Sequence, residues 1–92
     1  MDKIKSNIGI IDLFCGIGGL THGLKESGLQ VKAGVDSDNN CKYAYEVNNE
    51  AKFIGEDISK IIGQELNKLW GKSKIKILVG CGYIEKLNSI KF

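Results

Sequence analysis

There is no proline among the 92 residues, whereas glycine occurs 12 times. Changes of chain direction therefore fall to glycine, whose missing Cβ opens backbone conformations closed to other residues. The three cysteines, Cys15, Cys41 and Cys81, are widely separated and no two form a CxxC pair. That spacing supports neither a metal site nor a disulfide framework, and fits a reduced, cytoplasmic chain. No apolar run approaches the ~20 residues that span a bilayer. The opening MDKIKSNIGIIDLF has neither the long apolar core nor the cleavage site of a secretory signal, so no membrane partner is expected. An excess of one charge is missing too: 13 basic and 11 acidic residues leave +2, dispersed along the chain. So small a balance says nothing about nucleic acid.

What is present reads as one globular domain, with 42% hydrophobic and 26% charged residues. Residues 8–14, IGIIDLF, form a nearly continuous run of β-branched and aromatic residues, the pattern of a strand buried on both faces of a parallel sheet. Leu20 and Leu24 then stand four apart before Gly28, which predicts a helix over 19–27 closed by that glycine. A second strand is expected over 30–35, ending at Asp36. Asp38 or Asn39 would cap a helix running to about Asn48 and burying Cys41, Ala44 and Tyr45. A short strand over 51–54 precedes a helix with the stripe Ile58, Ile62, Leu66 and Leu69, closed by Gly71. The fourth strand is expected over 75–79. This β-α-β-α-β-α-β order predicts an α/β fold with a parallel, doubly wound sheet that is incomplete after four strands.

The stretch DLFCGIGG, residues 12–19, joins the first strand to the first helix. A glycine-rich turn there lets backbone amides approach a ligand, and the helix N-terminus adds partial positive charge. Alone it is also readable as a tight turn without a ligand. Asp36 is a second sign: it lies twenty positions beyond Gly16, where a carboxylate accepts the hydroxyl protons of a ribose. Asp57 and Ile58 are a third, the carboxylate for an adenine amino group and the isoleucine for its ring face. Taken singly, Asp36 reads equally as a solvated turn residue and Asp57 as a helix cap. A dinucleotide reading is the weakest, because the loop does not have GxGxxG spacing.

The segment IDLFCGIGGLTHGLKESGLQVKAGVDSD resembles the opening of bacterial cytosine-5 DNA methyltransferases, whose first motif reads Asp-x-Phe-x-Gly-x-Gly-Gly. The likeness continues through YAYEVN, GEDI and KILVGCG, covering about residues 8–82. It implies a Rossmann-like, S-adenosylmethionine-dependent methyltransferase half-domain over 1–82, acting in the family on DNA and in restriction-modification. By the resemblance Phe14, Gly16, Gly18, Gly19 and Leu20 line the methionine and ribose of the cofactor. Asp36 holds the ribose hydroxyls, Ser37 stands where an adenine-packing side chain is common, Asp57 and Ile58 address the adenine, and Gly80 approaches the methionine end.

The family's reaction needs a cysteine thiolate that adds to cytosine C6, in a Pro-Cys pair just after the fourth strand, and a glutamate at N3 of a flipped base. Members reading Gly-Cys-Ala-Pro-Cys-Gln align with Gly80-Cys81-Gly82-Tyr83-Ile84-Glu85, which puts Tyr83 at the proline and Ile84 at the nucleophile. No catalytic residue is therefore assigned: Cys81 is out of register, and Cys15 has no basic neighbour to lower its pKa. His22, with no acidic or cysteine partner evident at useful spacing, reads as a surface residue. Residues 83–92 read as a divergent tail, and the chain as truncated. Its partners would be DNA for the full-length family, a complementary methyltransferase polypeptide, or a second copy through an exposed sheet edge. The competing reading is a non-enzymatic remnant or interaction module.

Overall fold

A computed structural model describes residues 7–80. The predicted alternation is realised as β1 (Ile8–Leu13), α1 (Gly19–Glu26), β2 (Gln30–Asp36), a 3-10 turn (Asn39–Cys41), α2 (Lys42–Asn49), β3 (Lys52–Gly55), a second 3-10 turn (Ile58–Lys60), α3 (Gly63–Trp70) and β4 (Ile75–Gly80). All three strand pairings are parallel, and the order across the sheet is β3-β2-β1-β4. This is the Rossmann-like, doubly wound start that the alternation predicts.

The order reverses after β3, which has a direct consequence for the helices. Successive steps β1→β2→β3 move one way, so right-handed crossovers lay α1 and α2 on the same face; the return to β4 puts α3 on the other. The packing agrees. Ile11, Leu13 and Val35 bury against Ile58, Ile61, Leu66 and Trp70 on the α3 face. Tyr45, Cys15 and Phe53 form a separate cluster on the opposite face, where α1 and α2 touch each other. Alternate side chains of the central strand β1 serve the two layers, which explains why residues 9–13 are all buried.

Helix ends follow local chemistry. α1 closes with a Schellman arrangement: the Gly28 amide donates to Lys25 and the Leu29 amide to Leu24, with Gly28 at φ +85°. Asp38 caps the first 3-10 turn through the Asn40 amide, as one of the two expected caps. Gly71 closes α3.

Three expectations are corrected. β1 ends at Leu13, because Phe14 turns out of the strand at φ +58°. The stripe before α3 does not run as one helix: the turn at Ile58–Lys60 is followed by extended Ile61 and Ile62, which resets the phase. Ile61 is consequently 2% exposed and Ile62 40%. Of the expected stripe Cys41, Ala44 and Tyr45 only Tyr45 is buried on α2, with Asn49 beside it, because Cys41 falls in the preceding 3-10 turn and Ala44 is half-buried.

Candidate functional site

Parallel strands bring their carboxyl ends to one edge of the sheet, and most of the sequence-derived site residues lie there: Phe14 and Gly16 after β1, Asp36 and Ser37 at β2, Asp57 after β3 and Gly80 closing β4. The backbone at the end of β3 is joined to β2 by the Glu56 amide, which donates to the Asp36 carbonyl at 3.1 Å.

The loop between β1 and α1 keeps contact with the sheet before it turns. The Cys15 amide donates to the Val35 carbonyl at 3.1 Å, and the Gly18 amide to the Cys15 carbonyl at 2.9 Å. Its glycines differ in what requires them. Gly18, at φ +95°, is the N-cap of α1, and a Cβ there would lie 2.7 Å from the Tyr45 ring. Gly16 and Gly19 would meet nothing within 4 Å, so their backbone faces open space. Gly80 is required by the fold itself, since a Cβ would sit 2.5 Å from the Leu13 carbonyl oxygen. Leu20 is 40% exposed on the first turn of α1.

Asp36 carries the two contacts that define the edge. Its Oδ2 accepts the Gly16 amide at 2.9 Å, and its Oδ1 accepts the Asp38 amide at 2.9 Å. A carboxylate offers about four acceptor sites. One remains on each oxygen, the number that two vicinal hydroxyls of a ribose need, so the donor-acceptor chemistry fits a nucleoside. Asp57 accepts both the Ser59 amide and the Ser59 hydroxyl at 2.9 Å, so it is a cap as well as a half-buried carboxylate at this edge. Ile58, next to it, is 3% exposed and packed in the α3 core, where it backs the edge from behind. Ser37 is exposed. Among the described residues no group of His, Cys, Asp and Glu is arranged to hold a metal ion.

Beneath the loop lies a polar contact set that sequence reasoning missed. Asp12, 1% exposed, accepts the Thr21 hydroxyl at 2.7 Å, and Thr21 Oγ1 is 2.9 Å from the Tyr45 hydroxyl. The Thr21 amide also hydrogen-bonds the Asp12 carboxylate. Asp12 thereby supplies, from β1, the cap that Gly18 has no side chain to give. Burial pushes the Asp12 carboxyl up, opposed by these hydrogen bonds. The signal available in the sequence was a lone carboxylate inside an apolar run.

Cys15 is buried, and desolvation together with the charges of Asp12 and Asp36 pushes its thiol up to about 12. That leaves it a small packing residue, not a nucleophile. His22 lies on the surface as expected, but it does have an acidic neighbour one turn away: Nε2 is 3.5 Å from Glu26. Cys81, Tyr83, Ile84 and Glu85 lie outside the described residues. No helix among the described residues is long and apolar enough to cross a membrane.

Comparison with known proteins points to one family. A segment of 72 residues is 58% identical to the type II methylase M.HgiDII of Herpetosiphon aurantiacus, covering 78% of this chain and 20% of that protein. The chain thus spans about a fifth of the relative's length. No solved structure matches it. The family description "C-5 cytosine-specific DNA methylase" matches residues 8–82, from the first residue of β1 to just past β4. With the glycine loop, the Asp36 carboxylate and the parallel sheet all inside that match, the chain belongs to the C-5 cytosine-specific DNA methylase family.

Proposed function

We propose that residues 1–82 form the S-adenosylmethionine half-site of a DNA cytosine-5 methyltransferase. The observation that carries this reading is the Asp36 carboxylate, tied to the Gly16 amide and left with an acceptor site on each oxygen. In this assignment Phe14, Gly16, Gly18, Gly19 and Leu20 surround the methionine and ribose, and Asp36 receives the ribose hydroxyls. Ser37 and Asp57 border the adenine, Ile58 supports that border from the core, and Gly80 allows close approach at the methionine end. The cofactor supplies an electrophilic methyl group; the chain's own part is to bind and orient it. The open backbone at Gly19 and the N-terminus of α1 supply donors and partial positive charge for that task, the Gly16 amide being committed to Asp36.

The same reading places no nucleophile in this chain, because Ile84 occupies the aligned position in the tail 83–92. Methyl transfer to DNA would then need a thiol and base-flipping residues from outside residues 1–92, a complementary methyltransferase polypeptide being one source. A restriction-modification role accords with the type II name of the relative.

Calorimetric titration with S-adenosylmethionine, beside Asp36→Ala and NAD, tests the assignment. We expect saturable binding that falls at least tenfold in the variant and is absent for NAD. No binding by folded wild-type chain overturns the cofactor reading.

A second reading rests on β4, which has β1 as its one strand neighbour among the described residues and leaves Ile75 46% exposed. An unpaired edge recruits other strands, so the chain would act as an interaction module or self-associate. Sedimentation as a clean monomer at high concentration counts against it.

A further inference from the structure

The glycine loop is not shaped by its own residues alone. Tyr45, fully buried on α2, lies under it from the neighbouring β-α-β unit. Its ring is what a Cβ at Gly18 would strike at 2.7 Å, and its hydroxyl is what a Cβ at Gly34 would meet at 2.6 Å. The same ring belongs to the cluster with Cys15 and stacks at a tilt on Phe53, with centroids 5.8 Å apart. Tyr45 therefore touches both ends of the loop, Cys15 and Gly18, and the strand β2 that carries Asp36.

The hydroxyl is held as firmly as the ring. Asp12 has carboxylate oxygens that accept, and the Thr21 hydroxyl donates to one of them. The single proton of Thr21 is then used, so the Tyr45 hydroxyl is the donor in the 2.9 Å contact between the two. The chain Tyr45→Thr21→Asp12 has one direction, and it links α2, the first turn of α1 and the centre of β1. Asn49 completes the floor: its Nδ2 donates to the Tyr45 carbonyl at 2.9 Å and lies against Gly18. Buried polar chains of this kind fix one arrangement of their elements, because each alternative strands a polar group away from water.

We propose that Tyr45, without touching the ligand, is a positioning residue for the nucleotide edge: through Thr21 and Asp12 it sets the loop conformation that aims the Gly16 amide at Asp36. This deepens the half-site reading above and rests on it for its ligand; the loop geometry stands without it.

The discriminating variants keep the ring or the hydroxyl. In the full chain, Tyr45→Phe retains the floor and removes the proton donor, Thr21→Val breaks the chain at its middle, and Thr21→Ser restores the hydroxyl. Hydrogen exchange of the Gly16 amide reads loop geometry without any ligand, and calorimetry with S-adenosylmethionine reads its use. We expect Tyr45→Phe and Thr21→Val each to exchange Gly16 at least fivefold faster and to weaken binding about five- to tenfold. Amides in the centre of β1 should keep their wild-type protection. The double variant should be no worse than either single one, and Thr21→Ser should recover most of the loss. Wild-type exchange and binding in Tyr45→Phe overturn the proposal even while Asp36→Ala still abolishes binding. If the wild-type chain binds nothing, the cofactor reading fails and the Gly16 exchange rates still decide the positioning role. A uniform rise in exchange across β1 as well as Gly16 would also overturn it, since Tyr45 would then serve general stability.

Discussion

The Gly16 amide donates to Asp36 Oδ2 over 2.9 Å, joining the loop after the first strand to the end of the second. The two residues are twenty positions apart, with a helix and most of a strand between them, yet their contact ties the glycine turn to the carboxyl edge of the sheet. Asp36→Asn removes the charge and leaves one oxygen to serve two amide donors. Loss of a charge-assisted hydrogen bond should destabilise the fold by about 1–2 kcal/mol. For a domain of this size, that lowers Tm by roughly 5–15 °C, measurable by circular dichroism.

Gly18 and Gly19 should respond oppositely to alanine. Gly18→Ala meets a left-handed backbone at φ +95° and the Tyr45 ring, so strain and overpacking together should remove about 2–4 kcal/mol. Gly19 opens onto space at the start of α1, and alanine there should be neutral or stabilise by up to about 1 kcal/mol. Denaturant melts of the two variants compare them directly; equal losses would show that crowding under the loop is not the determinant.

Asp12 should leave a mark on the pH dependence of stability. Its carboxyl is raised above 3.8 in the folded chain, first by burial, so folding favours the protonated form. This group therefore contributes most below its unfolded pKa, and that contribution declines as pH rises through the folded value. Asp12→Asn keeps an acceptor for Thr21 and cannot ionise. Relative to wild type, the variant should gain stability between pH 3.5 and 7; urea melts across that range, showing a constant difference, would remove Asp12 as the source.

Cys15 should be chemically quiet despite its place beside the candidate site. A thiol pushed from 9.0 to about 12 has about a thousandfold less thiolate at neutral pH. Alkylation followed by peptide mapping should label it only after denaturation. Rapid labelling in the native chain would mean that the loop opens to solvent.

Local patterns carried much of this architecture. Apolar runs marked the strands, and Gly28 and Gly71 marked the ends of α1 and α3, because strand burial and helix closure depend on residues a few positions apart. Asp36 was legible for a related reason: a strand of known direction places its last residue at the carboxyl edge. The sequence also held the resemblance that residues 8–82 bear out as family membership.

The tertiary structure decided what lies between elements. Whether Ile61 or Ile62 enters the core depended on how the 3-10 turn meets the sheet, not on spacing. That Gly80 answers to the Leu13 carbonyl, and that Asp12, Thr21 and Tyr45 meet under the loop, follows from the approach of segments far apart in the chain. Periodicity can assign a residue to the buried face of its own helix or strand; which buried residue it meets is fixed only when those faces pack, since side-chain contact depends on the placement of whole elements.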